Sequence, residues 1–143
     1  MIELLVLKRI LLALLLGAII GFERERAHKV AGLRTHMLVC VSSALVALLA
    51  IYGFEELGGA NAESSSRIIA GILTGIGFIG GGAILRQDTH VSGTTTAATL
   101  WTVSAVGIAV GVGFLYAAVA VTLLAYLILT IIWRFEIKMR DDQ

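Results

Sequence analysis

Apolar residues fall along this chain in long blocks separated by short polar seams. Blocks near 20 residues have the length at which a helix, rising about 1.5 Å per residue, crosses about 30 Å of hydrocarbon. The pattern predicts five of them, at residues 4–22, 35–52, 68–85, 95–112 and 114–133. Lys8 and Arg9 interrupt the first, close enough to its end for long side chains to snorkel toward water. The run from Ala97 to Trp133 is 37 residues long, or about 55 Å as a helix, so it must fold back. Gly111-Val112-Gly113 is its natural turn. The fold expected is all-α, a polytopic membrane protein of about five transmembrane helices. A four-span arrangement with the first block lying in the interface is the competing expectation.

Composition supports this reading. The 143 residues are 58% hydrophobic and 15% charged, and their mean hydropathy is +0.94, whereas about a quarter of the residues in a soluble domain are charged. A net charge of +1 gives no basic surface for nucleic acid. The single Cys40, inside an apolar block, reads as a small hydrophobe. The start of the chain superficially resembles a signal peptide, but a charged segment with no small-x-small cleavage site follows Gly21, so a retained helix is expected.

Orientation follows from the basic residues. With five spans, Arg24, Arg26, Lys29, Arg34, Arg86, Arg134, Lys138 and Arg140 share one side, against Lys8, Arg9 and Arg67 on the other. That places the N-terminus outside and the C-terminus in the cytoplasm, with Lys8 and Arg9 on the wrong side. Residues 1–134 then form the transmembrane domain and 135–143 a short cytoplasmic tail.

Three seams carry candidate chemistry. In GFERERAHKVAGLRTH, residues 21–36, six fixed charges and two histidines are crowded beneath an apolar block. Glu25 and Lys29 have favourable helical spacing, as do Glu23 and Arg26, which suits a solvated loop. A positive-inside anchor, however, has no need of Glu23 and Glu25. In RIIAGILTGIGFIGGGAILR, residues 67–86, six of the sixteen glycines occur. Gly71 and Gly75, like Gly77 and Gly81, have the spacing that lets helices approach closely in lipid. Gly80, Gly81 and Gly82 in succession exceed that need and admit a broken helix that contacts an ion. In RQDTHVSGTTTAATLW, residues 86–101, Asp88, Thr89, Ser92 or Thr94 offers a helix cap. Thr95, Thr99 and Thr102 align on one helical face, either bonded locally or turned toward the third helix's glycines to line a polar cleft. His28, His36 and His90 lack ligand-pair spacing and read as satisfied loop histidines.

Four ordered strings carry a resemblance: GAIIGFERE (17–25), AGLRTHMLV (31–39), GIGFIGGGAILR (75–86) and VSGTTTAATLWTVSAVGIAVGVG (91–113). Together they resemble the membrane domain of the MgtC/SapB family over nearly the whole chain. The resemblance implies a bacterial inner-membrane protein associated with magnesium adaptation and, in some members, virulence. It implies Glu23, Arg24, Glu25, Arg34, Thr35 and Arg86 as motif positions, none of them catalytic. Virulence members carry a cytoplasmic domain after the last helix, which a tail of nine residues cannot supply, and are associated with regulation of the F-type ATP synthase. Ser92, Thr94, Thr95 and the Arg-Ala-His-Lys at 26–29 depart from the common pattern.

Two function classes follow. One is a regulator whose helices and loops contact a membrane partner, such as the F-type ATP synthase, or further copies of itself. The other is a magnesium transporter or channel in which Glu23, Glu25 or Asp88 attracts the cation; one or two carboxylates suffice for an ion that keeps its waters. No acid is expected at mid-membrane, because the carboxylates between Glu25 and Asp88 lie in the external loop. No resident cofactor is implied and magnesium is the one metal suggested. Ser42, Ser43 and Ser104 stand apart from any base, which argues against an enzyme.

Overall fold

The computed structural model describes residues 2–53, 62–87 and 90–132. Helices α1 (Ile2–Arg26), α2 (Leu33–Leu48), α3 (Ala62–Gly82), α4 (Thr94–Val112) and α5 (Leu115–Leu127) form one bundle. α2 and α5 run on through wider, π-type turns at Leu49–Gly53 and Ile128–Ile132. With those extensions all five are long and apolar enough to cross a membrane. The first block is a packed member of the bundle, since Ala13, Leu16 and Ile20 share its core with Cys40, Ala44, Val103, Val106 and Val110.

α2 lies between α1 and α4, and glycines set how closely. A Cβ added at Gly17 would stand 2.8 Å from the Cys40 Cβ, and one at Gly21 2.9 Å from the Leu33 Cα. From α4, a Cβ at Gly107 would stand 2.3 Å from the Cys40 carbonyl oxygen, and one at Gly111 2.6 Å from that of Ala44. Two pairs of glycines four apart, one on α1 and one on α4, therefore hold α2 close, the backbone approach that drives helix association in lipid. Between them, the Ser43 and Ser104 hydroxyls bond each other at 2.9 Å.

α4 turns into α5 where the sequence places the hairpin. Gly113 takes φ +99° and the Phe114 N–H donates back to the Ala109 carbonyl at 2.8 Å, a six-to-one closure that only a residue tolerant of the left-handed region makes without strain. Arg9 completes this end. Its Nη1 donates to the Gly111 carbonyl at 2.7 Å and its guanidinium lies 5.6 Å from the Tyr52 ring centroid. A cation on the last carbonyls of a helix complements its dipole, so the basic residue on the unexpected side serves as a C-terminal cap. Arg9→Leu should lower bundle stability by about 1.5–3 kcal/mol, the usual worth of a hydrogen bond to a charged group. Thermal unfolding in detergent checks it, and an unchanged midpoint would remove the cap.

α3 is the least buried of the five spans. It is unbroken: Gly80, Gly81 and Gly82 form its last turn, closed by Ala83 and Ile84 N–H groups donating to the Ile79 and Gly81 carbonyls at 3.1 and 3.2 Å. Beyond it, Leu85–Gln87 (β1) and His90–Ser92 (β2) pair as an antiparallel ribbon that the apolar pattern does not signal. The N-cap of α4 is Gly93, at φ +86° and with no side-chain bond, where a hydroxyl or carboxylate cap is expected. The reason is space: a Cβ there would stand 2.0 Å from the Ala83 carbonyl oxygen. Asp88, Thr89 and the tail 135–143 lie outside the described residues.

Candidate polar junction at the start of α2 and α4

The end of the bundle where α1 stops and α2 and α4 begin concentrates buried polar groups. α1 continues to Arg26 and closes through Ala27 N–H on the Glu23 carbonyl, 2.9 Å, and Lys29 N–H on that of Arg24, 3.0 Å, with His28 at φ 53°. The chain then reverses so tightly that a Cβ on Gly32 would fall 1.7 Å from the Glu25 Oε2. That oxygen accepts the Leu33 N–H at 2.9 Å. An acid thus bonds one of the donors left open at the head of α2 and places negative charge at its positive end. Lys29 and Arg26 are not the partners of Glu25 and Glu23 that helical spacing suggests.

Glu23 instead pairs with its neighbour, the Arg24 Nε donating to the Glu23 Oε2, with side-chain exposures of only 10% and 3%. Beside them His36 is wholly buried. Its Nδ1–H donates to the Gly32 carbonyl at 2.8 Å, and its Nε2 stands 3.0 Å from the Thr99 Oγ1. The Gly32 carbonyl can only accept, so Nδ1 carries a hydrogen. Thr99 has one hydroxyl hydrogen and two acceptors in reach, the Thr96 carbonyl at 2.8 Å and the imidazole. With neutral His36 the hydroxyl donates to Nε2; with the ring protonated, Nε2–H donates to the hydroxyl, which then serves Thr96.

The motif residues are thereby divided. Glu23 and Arg24 are buried, while Glu25, although bonded to α2, is exposed together with Arg34; Thr35 is half-buried. Thr99 turns to His36 on α2 and Thr95 is exposed. Thr102 donates to the Ala98 carbonyl of its own helix at 2.9 Å. Arg86 lies on β1. Among the described residues, Gly80 is the α3 glycine that packs within the chain, a Cβ there meeting Ala97 at 3.6 Å, whereas Gly71, Gly75, Gly77, Gly81 and Gly82 have none of them within 4 Å. The hydroxyl stripe and the glycine stripe therefore do not close a single pocket with Glu25 and Arg34. The junction's centre is His36, which sequence reasoning sets aside as a loop histidine. The signal available was its place in the first turn of an apolar block, where a polar side chain demands a partner. Among the described residues, no group of three or more His, Cys, Asp and Glu is placed to hold a metal ion.

A five-helix bundle whose apolar faces point outward and whose polar groups are paired inside it defines a multi-pass membrane protein. The chain belongs to the MgtC family, whose profile matches residues 10–137. It is 35% identical over 138 residues to the "Putative magnesium transporter YhiD" of Escherichia coli K12, covering 95% of this chain and 64% of that protein. It is 45% identical over 109 residues to "Protein MgtC" of Brucella abortus, covering 76% and 43%. It is 40% identical over 113 residues to "Protein SrpB" of Synechococcus elongatus, covering 73% and 62%. The chain thus spans about two-fifths to two-thirds of the length of these relatives, all of them bacterial. No solved structure matches it.

Proposed function

We propose that the chain acts in magnesium or ion homeostasis as a regulator, through contacts of its helices and loops with a membrane partner. One observation carries this reading. Glu25 clamps the α1–α2 connection to the head of α2, so Arg26, His28, Lys29, Val30 and Arg34 are displayed outward on a braced, short loop. Val30 is 70% exposed amid those charges and is the apolar point of the surface that this reading assigns to the partner. The buried charges and hydroxyls, in turn, are spent on each other: Glu23 on Arg24, His36 on Gly32 and Thr99, Ser43 on Ser104. Groups paired in this way brace the loop rather than line a path. The magnesium link comes from the relatives' names.

Transport of magnesium is the second reading, favoured by the name of the Escherichia coli relative. The two separate cleanly. Purified chain in liposomes passes no more magnesium than empty vesicles if it regulates by contact. In cells, Arg34→Ala and Val30→Asp should abolish the growth effect of the protein at low magnesium while its abundance and membrane insertion stay unchanged. Magnesium flux above the empty-vesicle rate would overturn the regulatory reading, as would wild-type behaviour of both loop variants.

A further inference from the structure

The α3 glycines that the bundle leaves bare lie beside a groove between α2 and α3. Its volume is about 420 Å³, and Leu38, Ser42, Val46, Gly71, Gly75 and Ile79 line it. Substituting Gly71 or Gly75 would touch no described residue of this chain, yet each glycine weakens its helix by up to about 1 kcal/mol relative to alanine. Ser42, tenth in the span Leu33–Gly53, is exposed, and its hydroxyl bonds no described residue. A lone hydroxyl near mid-membrane depth is better served by an approaching helix than by hydrocarbon. At about 100° per residue, the side of α3 opposite its buried Ile76 and Gly80 also carries Phe78, which is 87% exposed.

We infer that this face of α3 is the interface of a parallel, two-fold dimer of the chain, in which Phe78 of each copy fills the Gly71–Gly75 groove of the other. The membrane fixes the orientation: all copies insert the same way, so a second α3 runs parallel, and a two-fold axis along the membrane normal brings equal heights together. Helical side chains lean over the turn N-terminal to their own Cα. Phe78 therefore reaches the height of Gly75 of the partner subunit, where the floor is bare. Charge fits the same operator. Glu63 and Arg67 stand on this side of α3, both more than three-quarters exposed and only loosely paired at 4.0 Å. The two-fold axis crosses them into two pairs, Glu63 with Arg67 of the partner subunit and the reverse. Knob, groove and crossed charge pairs are complementary to themselves under one two-fold operator, and that fit selects a second copy of the chain.

This names a partner for the contact role proposed above, but its assay reads mass and proximity rather than magnesium or growth, so either can fail alone. The full chain, labelled with donor and acceptor fluorophores and diluted into liposomes, should transfer energy as a dimer, and native mass spectrometry from the same bilayers should give twice the chain mass. Gly75→Leu should weaken association by roughly tenfold or more, and Phe78→Ala should weaken it as well. Because a side chain at Gly75 meets no described residue of its own chain, the variant should melt no lower than the wild-type protein at dilutions where both are monomeric, which separates lost pairing from lost folding. Gly77→Leu, also bare but off this face, should leave the dimer intact. Monomers at every protein-to-lipid ratio, higher oligomers insensitive to Gly75→Leu, or equal effects of Gly75→Leu and Gly77→Leu would each overturn the proposal.

Discussion

Arg24→Met is expected to destabilise the bundle by about 3–5 kcal/mol, the cost of leaving one member of a buried ion pair without the other. The Arg24 guanidinium is almost fully shielded and its Nε serves the Glu23 carboxylate, itself nearly buried. Removing the cation strands a carboxylate at the foot of α1, beside α2 and His36. The double variant Glu23→Gln/Arg24→Met should recover most of the loss, since the pair as a whole repays little more than its own desolvation. Reversible unfolding in mixed micelles, followed by tryptophan fluorescence, measures both. A loss below about 1 kcal/mol for the single variant would mean the pair behaves as a solvated surface bridge, and the junction would no longer be a packed unit.

How far such a junction can be read from sequence depends on the range of its interactions. The spans were legible because a membrane imposes a length on each apolar block, and the hairpin at 111–113 because 37 apolar residues exceed one crossing. Glu23 and Glu25 stand out in the sequence too, as acids that a basic anchor does not require. Their partners were not. Helical spacing suggested Lys29 and Arg26, yet the tight turn at Gly32 brings the head of α2 to Glu25. His36 meets Thr99 across 63 positions of chain, a pairing that no local period encodes. Arg9 is misplaced under the positive-inside rule because that rule counts charges without asking which helix ends they cap. The pairing of Leu85–Gln87 with His90–Ser92 has no signal in the apolar pattern, and the Gly93 cap follows from a backbone approach to Ala83 that no local period encodes.

The glycines show the same limit and give the sharpest contrast to measure. Gly71 and Gly75, conspicuous in a glycine-rich string, touch no other described residue, whereas Gly107 and Gly111, hidden in a valine-rich helix, hold α4 against α2. Spacing of four is common to both pairs, so spacing cannot tell them apart; only the neighbour can. Gly107→Ala would push a methyl to 2.3 Å from the Cys40 carbonyl oxygen, a backbone atom within α2 that has no rotamer by which to move aside. α4 would have to shift, disturbing Val103, Val106 and the Ser43–Ser104 bond at the same contact. Overpacking typically costs about 1–3 kcal/mol, and a rigid backbone neighbour puts this site at or above the top of that range. Gly71→Ala should by contrast be neutral or stabilising by up to about 1 kcal/mol, through helix propensity alone. Unfolding both variants under one set of micelle conditions decides the matter. Equal destabilisation by the two would mean that α2 and α4 are not in backbone contact, and the grip of α1 and α4 on α2 would have to be given up.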